Sequence, residues 1–165
     1  MKYVILIVIV VICAYIGYGL SLYYSNRLKF FRTLMFLFEK INLEINFSQA
    51  KLISIMQNFQ EENPNKDIKK LISNFVRCLE NLNEVTKEEL FKDLKILSEE
   101  EKNMIFIFFL SLGKFDVINQ TKQLEGQKEE INKFYKNAEQ EAKKFGPLYL
   151  KLGIIIGLGV ALILL

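Results

Sequence analysis

The sequence predicts an all-α protein, a membrane-anchored helical bundle with one N-terminal and one C-terminal transmembrane helix. Three observations lead there. Tyr3 to Leu22 is a run of twenty residues without a charge, dominated by Ile, Val, Leu and Tyr. Leu152 to Leu165 is a second apolar run with no charge at all. Between them, apolar residues recur at helical intervals of three and four, and only three of the eight glycines fall in that interval. A stretch with helical periodicity and few breakers reads as helices rather than a sheet.

The N-terminal run is long enough to cross a bilayer. A cleaved signal peptide has a shorter apolar region closed by small residues, and no such pattern follows here. A lipoprotein signal needs a small residue before its cysteine, whereas Cys13 follows Ile12. The run therefore reads as an uncleaved anchor over residues 3–24. At the other end, Leu148 to Leu165 would extend ~27 Å as a helix, close to the ~30 Å hydrocarbon layer. Its one charge, Lys151, sits near the edge, where a long side chain snorkels to the headgroups. The expected organisation is a span over 3–24, a helical domain over 25–146 and a span over 148–165.

Arg27, Lys29 and Arg32 follow the first run, and Lys136, Lys143, Lys144 and Lys151 flank the second. The opposite side carries only Lys2 and the amino terminus. The positive-inside rule then puts the central domain in the cytoplasm.

The central domain reads as a series of helices. Leu28, Phe31, Met35, Phe38 and Ile45 form one stripe, and Phe30, Leu34, Leu37 and Ile41 form another beside it. So wide an apolar face suits a central helix packed from two sides. Leu52, Ile53, Ile55, Met56 and Phe59 make a short amphipathic helix stopped at Glu62-Asn63-Pro64-Asn65. Ile68, Leu71, Ile72, Phe75, Val76 and Leu79 give the stripe of a helix from about Asp67 to Leu82, with Cys78 beside it as an inert structural thiol. Thr86-Lys87-Glu88-Glu89 has capping-box spacing and is expected to open a helix through Leu97; Ser98 to Glu101 repeats the device. Met104 to Leu112 reads as a buried helix with Gly113 as its C-terminal stop. Asp116 then caps a long helix whose Val117, Leu124, Ile131, Ala138 and Phe145 recur every seven residues, able to lie antiparallel along the first helix. Gly146-Pro147 is expected to hinge this helix from the span.

Within the spans, Gly153, Gly157 and Ala161 share one face at four-residue intervals, as do Cys13, Gly17 and Ser21. Small residues so spaced let helix backbones approach closely in lipid. They are the candidate membrane-helix packing residues.

The composition excludes several functions. A net charge of +3 with no basic, aromatic-interleaved patch is not a nucleic-acid-binding composition. The absence of histidine removes the commonest general base and metal ligand. The two cysteines allow neither a disulfide framework nor a zinc ribbon. No glycine-rich phosphate loop is present. No catalytic residue, cofactor, metal or small-molecule substrate is expected. The residues alone fit a generic two-span membrane adaptor or a holin-like protein.

A more specific reading comes from two patterns. Leu112-Gly113, Asp116, Gln120 and Lys122 form Leu-Gly-x-x-Asp-x-x-x-Gln-x-Lys. Some thirty residues later, Leu148-Tyr149, Leu152-Gly153 and Gly157 form Leu-Tyr-x-x-Leu-Gly-x-x-x-Gly. With Arg32, Leu34, Glu44, Ile45 and Leu52, these resemble the stage III sporulation protein AB family of endospore-forming bacteria. Phe47 and Lys51 stand where that family usually has tyrosine and proline, and Pro147 lies unusually close to the span. The resemblance implies a fold similar to the helical cytoplasmic domains of the platform protein of type II secretion and type IV pilus machines. It implies a place in the mother-cell half of the channel to the forespore. It also implies docking of a secretion-type ATPase resembling stage III sporulation protein AA, alongside other membrane components and lipid. Leu112, Gly113, Asp116, Gln120 and Lys122 are the candidate docking surface or polar corner network.

Overall fold

The computed structural model describes residues 2–43, 49–81, 84–92, 94–112 and 117–164, with side chains of the last segment described from Glu125 onward. Six α-helices and no strand occur among the described residues: α1 (Lys2–Leu43), α2 (Gln49–Glu62), α3 (Lys66–Glu80), α4 (Lys87–Leu90), α5 (Glu99–Ser111) and α6 (Val117–Ile163). Both α1 and α6 contain stretches long and apolar enough to cross a membrane. The chain divides into two compact units, one made of Met1–Leu28 with Lys136–Leu165 and the other of Lys29–Tyr135.

The unit over Lys29–Tyr135 is a helical bundle around aromatic residues. The wide apolar face of α1 is explained by burial: Phe30, Phe31, Leu34, Leu37, Phe38 and Ile41 are all enclosed. Phe38 stacks on Phe108 with ring centroids 3.6 Å apart, and Phe75 meets Phe109 at 4.6 Å. Those two contacts bring α1 and α3 onto α5, which is why Met104 to Leu112 is so apolar. Each such ring pair contributes about 0.5–1.5 kcal/mol beyond area burial. Leu52, Ile55, Met56 and Phe59 of α2 add to the same core. The heptad seam of α6 places Ile131 inside, and Phe31 stacks on Phe134. Gln127, also buried, has its amide oxygen 3.4 Å from the Ser111 hydroxyl that donates to the Phe108 carbonyl.

The ends of the short helices follow from local hydrogen bonding. Asn65 caps α3, its Oδ1 accepting from the amides of Asp67 and Ile68 at 3.0 and 3.2 Å. Ser98 and Glu101 complete a reciprocal capping box at α5. Thr86 makes only half of one. Its hydroxyl accepts from the Glu89 amide, but the Glu89 carboxylate is taken by the Cys78 thiol, with Sγ 3.5 Å away.

The helix expected from Thr86 through Leu97 is instead the single turn Lys87–Leu90. Asn74 of α3 donates its side-chain amide to the Leu90 carbonyl at 3.2 Å, the acceptor that a continuing helix would offer to Leu94. The Leu94 amide bonds to Phe91 instead. The apolar spacing had suggested a helix because Leu90, Phe91, Leu94 and Leu97 are indeed buried, in irregular chain.

The helix does not break at Gly146-Pro147, since α6 continues through it. Proline inside a helix costs about 3 kcal/mol or more. Packing on both sides of it offsets that: Gly146 lies against Ser21, while Phe145 and Tyr149 each approach Tyr24.

Candidate functional site

The arrangement best defined in geometry is the pairing of α1 and α6 inside the unit made of Met1–Leu28 and Lys136–Leu165. Glycine lets the two backbones touch. A Cβ built on Gly153 would lie 2.6 Å from the Cys13 carbonyl oxygen and 3.1 Å from Gly17 Cα. One on Gly17 would lie 2.5 Å from the Tyr149 carbonyl oxygen. At Gly157 the same atom would meet Val10 Cα at 3.0 Å and Cys13 Cβ at 3.1 Å. Gly17, Gly153 and Gly157 are buried and Ala161 is half-buried. Gly19 and Gly159, by contrast, have nothing within 4 Å of the corresponding position. The structure therefore separates contact glycines from those that face outward.

Beyond the glycines, Tyr24 stacks on Tyr149 with centroids 5.7 Å apart and nearly parallel planes, and Phe145 lies 5.5 Å from Tyr24. Arg27 is ion-paired with Glu141, and its side chain is only 15 % exposed. Planar guanidinium and carboxylate groups in such a place hold orientation as well as charge. Glycine contact, aromatic stack and ion pair follow one another along an antiparallel register. Cys13 and Phe145 fall on faces the sequence marks for packing, whereas Val10, Tyr24, Arg27, Glu141 and Tyr149 carry no such mark. Their signal is the pairing of ascending positions on α1 with descending ones on α6, which becomes legible once one glycine pair fixes the register.

The second expected site falls differently. Leu112 is buried at the C-terminal end of α5. Gly113 and Asp116 lie outside the described residues, and Gln120 and Lys122 belong to the first turns of α6 with side chains outside them. Among the described residues, no group of three or more Cys, Asp or Glu side chains is placed to hold a metal ion. Cys78 is buried, and desolvation first, then the Glu89 carboxylate, pushes its thiol above the ordinary range. A nucleophile needs the opposite shift.

A family model described as stage III sporulation protein AB matches residues 2–165. No curated protein and no solved structure matches the chain.

Proposed function

We propose, from the premise that the chain belongs to the stage III sporulation protein AB family, that it is a non-enzymatic membrane platform of the mother cell–forespore channel. Membership carries a role in sporulation. The finer reading places the protein in the mother-cell membrane facing the forespore, with residues 25–146 as a cytoplasmic domain between spans 3–24 and 148–165. There it docks a secretion-type ATPase like stage III sporulation protein AA and meets other membrane components of the channel.

The observation that carries this reading is the close glycine contact of two apolar terminal helices. Such a contact makes a single anchored base of both ends of the chain, which suits a part that bears load. The corner around Leu112, Gly113, Asp116, Gln120 and Lys122 is the docking surface in this proposal, since Gln120 and Lys122 are not needed for the apolar seam. The test is co-purification of the full-length chain with the ATPase from membranes. Gln120→Ala and Lys122→Ala should abolish both sporulation and co-purification while leaving the melting temperature nearly unchanged. A large fall in melting temperature for both would assign these residues to the fold and end the docking argument.

A further inference from the structure

On α6, Lys143, Lys144 and Lys151 lie within about 100° of one helix face, and all three are exposed. The Lys143 side chain is 73 % exposed. The other side of the helix at this level is occupied: Gly146 and Tyr149 meet α1, and Glu141 is paired with Arg27. The remaining acid nearby, the half-buried Glu139, holds Lys143 at 2.9 Å in an i, i+4 pair whose lysine end is solvent-exposed, a contact of the weakly held kind. Farther along, the same face runs into the apolar segment as Ile155, Leu158 and Leu162, all exposed.

Depth identifies the ligand. With the span beginning at Leu148, Lys144 and Lys143 stand ~6 and ~7.5 Å outside the apolar edge, and Lys151 ~4.5 Å inside it. The Lys151 stem reaches back toward the surface, to the level of the headgroup phosphates, where Lys144 also stands, with Lys143 one residue farther out and turned toward Glu139. Cationic side chains above an exposed apolar strip match a molecule with an anionic head and hydrocarbon tails. We propose that this face of α6 binds the phosphate of an anionic glycerophospholipid. A soluble anion would gain nothing from Ile155, Leu158 and Leu162, and Lys151 is within reach only of a ligand resident in the bilayer. This inference rests on the two-span reading.

The experiment uses the full-length chain in a non-ionic detergent, offered an equimolar mixture of phosphatidylglycerol and phosphatidylcholine and read by native mass spectrometry. Phosphatidylglycerol should be retained preferentially, and roughly fivefold of the preference should go with each lysine removed in the Lys143→Gln, Lys144→Gln, Lys151→Gln series. A control losing the same charge through Lys66→Gln, Lys69→Gln and Lys70→Gln on α3 should keep it. Equal retention of both lipids, an equal loss in the control, or displacement of the lipid by inorganic phosphate would each overturn the proposal. Carbonate extraction of the same variants keeps the two ideas apart. Release from the membrane would refute the spans, whereas retention without lipid preference refutes only the binding face.

Discussion

Replacing Gly153 tests the helix pairing most directly. Ordinary contact of a Cβ atom begins at about 3.4 Å, and the atom added at Gly153 would stand 2.6 Å from a backbone carbonyl oxygen. Alanine therefore has to push α1 and α6 apart by about 0.8 Å, and a backbone atom gives way less cheaply than a side chain. Overpacking of this kind costs about 1–3 kcal/mol. Leucine brings three more carbons into the same space and should separate the helices outright. The pairing can be read by cross-linking, because a Cβ at position 157 lies 3.1 Å from Cys13 Cβ, close to the ~3.5–4.5 Å of a disulfide. In a Cys78→Ala background carrying Gly157→Cys and a protease site between the spans, mild oxidation should leave the two fragments linked on a non-reducing gel. Gly153→Leu should abolish the link, Gly153→Ala should weaken it, and Gly19→Leu, on the open side, should leave it intact. Linking as efficient with Gly153→Leu as with the parent would show that the helices do not meet through this face.

Further outcomes follow from the helical bundle. Lys66→Cys, exposed at the start of α3, should resist a membrane-impermeant thiol reagent in intact cells, and ready labelling there would put the domain outside. Glu99 is held down to about 2 by hydrogen bonds from Lys102 and then Lys87. Its carboxylate is lowered on folding, so its contribution is complete above the ordinary value of 4.5 and is lost as pH falls from there toward about 2. Glu99→Gln should remove that part of the acid unfolding curve, and high salt should reduce the difference because the group is solvent-exposed. Cys78, with its thiol raised, favours folding fully below its ordinary value of 9.0 and less as pH rises beyond it. In a Cys13→Ala background it should alkylate slowly until the chain is denatured, and Glu89→Gln should speed the reaction. Asn65→Ala should lower stability by about 0.5–2 kcal/mol through loss of the α3 cap, read by denaturant unfolding.

Features set by residues near one another in the chain were legible in advance. The capping box at Ser98, the break at Pro64 and the apolar stripes of α1 and α3 depend on spacing alone. The helix over 87–97 was misread because its end depends on Asn74, sixteen residues earlier and on another helix. No local pattern announces that an amide will arrive to take the Leu90 carbonyl. That the helix runs on through Gly146-Pro147 was hidden for a similar reason, since the packing that offsets the proline comes from Ser21 and Tyr24. The glycine faces were readable by their four-residue spacing, yet spacing could not say that Gly19 and Gly159 stand outside the contact.

The capped helix α5 bears on how the chain is made. At thirteen residues it extends ~20 Å, short of the ~30 Å hydrocarbon layer. It is nonetheless strongly apolar from Met104 to Leu112 and lies between the two candidate spans. Were it inserted, every later segment would be threaded in the opposite sense and the second span would arrive inverted. Glu99, Glu100 and Glu101 at its start weigh against that error, because carboxylates partition poorly into lipid. Glu101 is 1 % exposed in the folded protein, with its carboxylate accepting from the Ser98 amide at 2.8 Å. In the folded protein that acid is taken up by the cap, so a membrane-inserted α5 would have to give up the Ser98 bond as well as bring the carboxylate out of water.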